Sequence, residues 1–72
     1  MNSSHIDIVR LYDTANEDEA FVNVRVAGSL IGLTLSLRKN GDIELFLTRN
    51  DAARVAHALQ KAIAKAESAE NS

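Results

Sequence analysis

The chain has 72 residues, no cysteine, no proline, two histidines and a formal charge of −2. Its length sets one small domain over residues 1–72, of a size that commonly draws extra stability from a disulfide, a metal or a partner chain. The lack of cysteine excludes disulfides and thiolate metal sites, and His5 and His57 by themselves are too few for a zinc site. A partner chain is the support left.

Further exclusions follow from patterning. No apolar run approaches the length of a membrane span. The start, MNSSHIDIV, has neither the basic flank nor the apolar core of a secretory signal, so a cytoplasmic setting is expected. The acidic balance argues against nonspecific binding to nucleic acid. Charge is also uneven: residues 1–19 carry Asp7, Asp13, Glu17, Asp18 and Glu19 against Arg10, a net −4, which leaves +2 for residues 20–72.

The first element is a strand, HIDIVRLY (5–12), apolar on both faces. Pointing Val9 and Leu11 inward leaves Arg10 outside, whereas the opposite choice buries an arginine at a cost of several kcal/mol in order of magnitude. The inward choice places Ile6, Ile8 and Tyr12 on the outer face. A polar connection, DTANEDE (13–19), follows; it lacks the glycine and the ligand spacing of a calcium loop.

AFVNVRVA (20–27) and LIGLTLSLR (30–38) alternate as half-buried strands, with Val22, Val24, Val26, Ile31, Leu33, Leu35 and Leu37 on one face. Gly28-Ser29 between them suits a two-residue turn with glycine first, pairing Val26 with Ile31, Val24 with Leu33 and Val22 with Leu35. A fourth strand, GDIELFL, places Ile43, Leu45 and Leu47 on the same face. A two-residue Asn40-Gly41 turn would set Glu44 opposite Leu37. A three-residue Lys39-Asn40-Gly41 loop with left-handed Gly41 instead pairs Leu37 with Ile43 and Leu35 with Leu45, and is preferred. Gly41 matches no phosphate-binding fingerprint, because a strand rather than a helix follows it.

The last third is a helix with Thr48 as N-cap and Asp51 three residues on, in the manner of a capping box. Ala52, Val55, Ala56, Leu59, Ala62, Ile63 and Ala66 form its apolar stripe. Arg54, Lys61 and Lys65 lie on its other side, and a frayed tail is expected over about 67–72. The expected fold is therefore α+β: a four-stranded antiparallel meander with one C-terminal helix packed on one face, in the order β-β-β-β-α.

In that arrangement Phe46 shares a row with Ile8, Asn23 and Thr34 on the helix-free face, and Arg10, Phe21, Ser36 and Glu44 form the next row. All three aromatic residues point there. Apolar groups on a face that is normally polar mark a contact surface, so Ile6, Ile8, Tyr12, Phe21, Thr34 and Phe46 are the candidate interface of a homodimer. Arg10, Arg25, Arg38, Arg54, Lys61 and Lys65 are candidate contacts for a charged partner. Arginines beside Phe21 and Phe46 also suit single-stranded nucleic acid, although Glu44 shares their face. No histidine or serine has the partner that catalysis requires, and no cofactor or metal is expected.

The run GDIELFLT…DAARVAHAL resembles the strand-turn-helix endings of many small bacterial or phage proteins and transfers no site. The expected function is a non-enzymatic protein-interaction module that self-associates through the helix-free sheet face. The alternatives are a phage-type inhibitor of a host defence complex and a single-strand nucleic-acid binder.

Overall fold

The computed structural model describes residues 3–70. Four strands, β1 (Ser3–Asp13), β2 (Asp18–Ala27), β3 (Leu30–Leu37) and β4 (Gly41–Leu47), precede one helix, α1 (Arg49–Glu70). The strands form a single antiparallel sheet in the order β1-β2-β3-β4. This is the α+β meander with a C-terminal helix that the alternation and the helical stripe predict. Of the expected tail, residues 67–70 are helical and residues 71–72 lie outside the described residues.

The β2–β3 register is the expected one, with Val22 opposite Leu35, Val24 opposite Leu33 and Val26 opposite Ile31. Gly28 takes a φ of 64° at the head of its turn, where a side chain would be strained. Val9 pairs with Val22 and Leu11 with Ala20, so strand one faces inward as the Arg10 argument requires. A bulge between His5 and Asp7 makes Ile6 the extra residue and sets Asp7 opposite Val24, at the rim of the aliphatic face.

The β3–β4 register differs from the expectation by two residues. Leu37 lies opposite Gly41, Leu35 opposite Ile43 and Leu33 opposite Leu45, so the connecting residues are Arg38, Lys39 and Asn40. Gly41 does take the left-handed conformation, at φ 86°, but as the first residue of β4. The cause lies in the neighbouring loop. The Lys39 amide donates to the Asp18 carboxylate at 3.1 Å, Lys39 Nζ donates to the Glu17 carbonyl at 2.9 Å, and the Arg38 amide donates to the Glu19 carbonyl at 3.1 Å. Asp18 is 1% exposed, so its hydrogen bond to a backbone N–H is made away from water and is correspondingly strong.

Thr48 alone joins β4 to α1. Its hydroxyl accepts from the Asp51 amide at 3.1 Å and its carbonyl from the Ala52 amide at 2.9 Å, the expected cap. The helix packs against β3 and β4 and touches no other strand. Past Ala52 every described helix residue is exposed. The molecule is flat and extended, 48 × 30 × 15 Å, with a radius of gyration of 14.3 Å against about 11 Å for a compact chain of this length.

Candidate interaction surfaces

Residues directly opposed across antiparallel strands share a face, so the register sorts the sheet into two surfaces. On the aliphatic face, one row runs Val9, Val22, Leu35, Ile43 and the next Asp7, Val24, Leu33, Leu45. Val9 is 46% exposed, Ile43 57% and Leu45 47%. On the helix, Val55, Leu59 and Ile63 are exposed as well. The only buried hydrophobic residue among those described is Ala27. A side-chain core of the kind that stabilises a monomer is therefore missing from the described chain, although the residues to build one are present.

The accessible surface measures this. The chain exposes 5872 Å², whereas a compact monomer of its mass exposes about 4,400 Å². The excess of about 1,500 Å² is close to twice the roughly 800 Å² that each partner buries in a standard interface.

The outer face holds the residues singled out from the sequence, in altered rows. Ile8, Asn23, Thr34 and Glu44 form one row; Arg10, Phe21, Ser36 and Asp42 form another. Phe46 is therefore not beside Thr34. It lies opposite Gly32, in a row with Arg25 and His5. The two-residue shift of β4 accounts for the whole change. Tyr12 lies opposite Glu19, and Ile6 sits at the bulge.

Gly32 is buried, and its missing side chain makes room for Arg25. A Cβ built there would meet Arg25 Cγ at 3.0 Å and Phe46 Cε1 at 3.4 Å. Arg25 crosses this gap, places its guanidinium carbon 5.1 Å from the Phe46 ring centroid, and donates to Glu44 at 2.9 Å. Thr34 Oγ1 donates to the same Glu44 oxygen at 3.1 Å. The Arg25 bond, followed by that from Thr34, holds the Glu44 carboxyl below its usual range. Beside this, Ser36 donates to Asp42 at 2.6 Å. In the loop between β1 and β2, Asp13 accepts from the Asn16 side chain at 2.7 Å and the Asn16 amide at 3.2 Å, which holds its carboxyl low as well.

Arg10, Phe21, Ser36, Glu19 and Arg38 line a shallow cleft of about 470 Å³ on the outer face. Arg38 lies 3.4 Å from Glu19, both well exposed. Positive and negative groups alternate across this surface, so it lacks the single-sign field that draws a nucleic-acid backbone. On the helix, Arg54 lies 3.3 Å from Asp51, and Lys61 and Lys65 are exposed. His5 and His57 are both exposed. Among the described residues no group of three His, Asp or Glu is placed to hold a metal ion, and no helix is long and apolar enough to cross a membrane.

The arrangement offers two kinds of surface: an aliphatic sheet face and helix stripe that lack a covering layer, and a mixed outer face where Phe46, Arg25 and Glu44 engage one another while Ile8, Tyr12 and Phe21 are exposed. The chain matches no protein-family description, no curated protein and no solved structure.

Proposed function

We propose that the protein is a non-enzymatic interaction module whose working form is a homodimer. The observation that carries this reading is the aliphatic sheet face, uncovered along Val9, Leu35, Ile43 and Leu45, together with the surface excess of about 1,500 Å². Buried in two copies, that excess amounts to about 3,000 Å², in the range of obligate homodimers. At about 25 cal/mol per Å² of apolar surface, it supplies ample driving force before ordering costs are subtracted.

The face differs from the one expected on sequence grounds. Phe46 already has Arg25 over its ring and Gly32 beneath it, and Glu44 is engaged by Arg25 and Thr34. Burying that outer face would cover the exposed Ile8, Phe21 and Phe46 but would also desolvate these charged groups. The aliphatic face carries Asp7 at its β1 rim and Asp13 opposite Asp18 at one end, and its middle rows are otherwise valine, leucine and isoleucine. Its self-complementarity suits a two-fold interface.

Sedimentation equilibrium from low to high micromolar concentration tests the reading. The expected mass is twice 7.8 kDa. A mass of one chain at high micromolar concentration, with native circular dichroism, overturns it.

A further inference from the structure

We infer that the occupant of the aliphatic sheet face is α1 of a second copy, so that each protomer's helix closes its partner's sheet. This rests on the self-association proposed above and specifies its geometry.

Two apolar surfaces of one chain lack a cover: the sheet face and the Val55, Leu59, Ile63 stripe. Within the chain, the joint at Thr48 keeps them apart. One residue separates strand from helix, and both its hydroxyl and its carbonyl are committed to the first helical turn. That cap sets the direction in which α1 departs. Folding the helix back over the whole of its own sheet would ask one residue to reverse the chain where two to six usually serve. A second copy supplies the same helix without reversing anything.

The dimensions agree. A helix of 22 residues is about 33 Å long, and strands of 7 to 11 residues span about 23–36 Å. Alanines at 52, 56, 62 and 66 permit close approach to a sheet. Packing sheet against sheet would cover one surface and leave Leu59 and Ile63 wet, whereas exchange covers both.

Opposite net charge favours the helix over the β1–β2 half of the face through the long-range field, without direct ion pairs, because Arg54, Lys61 and Lys65 lie away from the apolar stripe. Between Arg49 and Ala66 the helix carries four bases and one acid, Asp51, while residues 1–19 carry net −4. Asp7 stands at the β1 rim. The chain's own helix touches only β3 and β4, which leaves the β1–β2 half open to the partner.

The chain has no cysteine, so single introduced thiols report cleanly. Val22→Cys and Leu59→Cys chains carrying different tags are mixed, co-refolded and treated with a short bis-maleimide. Val9→Cys with Ala56→Cys serves as a second pair, and sedimentation confirms that each variant keeps the wild-type mass. The expected result is a covalent heterodimer from mixed chains, several-fold above the homodimer formed by either chain alone.

A dimer in which Val22→Cys links only to itself indicates sheet on sheet and overturns the exchange while leaving self-association intact. Self-linking of Leu59→Cys alone, which indicates helix against helix, does the same, as does a dimer in which neither mixed pair is captured. A wild type that sediments as a monomer overturns both readings.

Discussion

Arg25 lies over the ring of Phe46, 5.1 Å from its centroid, and reaches there across Gly32. The contact is a cation–π pair whose second hydrogen-bonding arm holds Glu44 at 2.9 Å, so three strands are tied on the outer face. Pairs of this kind contribute about 0.5–1 kcal/mol at partly exposed sites. Arg25→Ala is expected to lower stability by about 1 kcal/mol. A double-mutant cycle with Phe46→Leu, read by urea unfolding at fixed protein concentration, is expected to return a coupling of about 0.5 kcal/mol or more. Strictly additive losses would show that the ring and the guanidinium do not interact.

Gly41 and Glu17 hold positive φ under opposite conditions. Gly41, at 86°, has no atom within 4 Å of the position of an added Cβ, so Gly41→Val tests backbone strain alone and is expected to cost about 1–2 kcal/mol. Glu17, at 51°, already bears such strain. Glu17→Gly is expected to leave stability unchanged or raise it by up to about 1 kcal/mol, since only the Glu17 carbonyl serves Lys39. A loss in Glu17→Gly of the size seen in Gly41→Val would contradict the assignment.

Acid is expected to weaken the fold through Glu44 and Asp13. Both carboxyls titrate below their ordinary values in the folded chain, Glu44 through Arg25 and then Thr34, Asp13 through Asn16. A lowered folded pKa contributes stability that is fully present above the unfolded value and lost as pH falls through the folded one. The unfolding midpoint should hold level above about pH 5 and fall below about pH 4. Glu44→Gln should flatten part of that fall. An unaltered acid limb in Glu44→Gln would exclude its share.

The two sheet faces answer differently to a charge. Val22→Glu puts a carboxylate on the aliphatic face between Val9 and Leu35 and is expected to weaken the proposed dimer by several kcal/mol in order of magnitude, dissociating it at micromolar concentration. Phe46→Glu alters the outer face and is expected to keep the dimer mass, with a modest loss of stability. Light scattering of both variants decides it, and dissociation by Phe46→Glu alone would return the interface to the outer face. If folding and the proposed association are linked, the wild-type midpoint rises with protein concentration.

Strand order, face assignment and the helix cap are legible in the sequence because alternation, turn residues and a capping threonine are local signals. The β2–β3 register is legible too, since Gly28-Ser29 leaves no slack. The orientation of β1 follows from the cost of burying Arg10. The β3–β4 register is not legible, because a period of two is blind to a slip of two. Glycine inside a strand signals close approach, and Gly32 is the residue that points to the Arg25–Phe46 contact. The helix stripe states that apolar area will be covered; it carries no information on which chain does the covering.

The bond from the Lys39 amide to Asp18 has a consequence for the folding landscape. On the aliphatic face β4 offers Ile43, Leu45 and Leu47 to a β3 that is leucine and isoleucine throughout, so two ladders offset by two residues are nearly degenerate there. A carboxylate twenty-one positions upstream adds to the Thr34–Glu44 and Ser36–Asp42 bonds of the outer face in favouring the observed ladder over its neighbour. With Asp18→Ala the expected outcome is doubled amide resonances in β4, two interconverting folds of one chain, whereas Asp18→Asn keeps an acceptor for Lys39 and keeps one set.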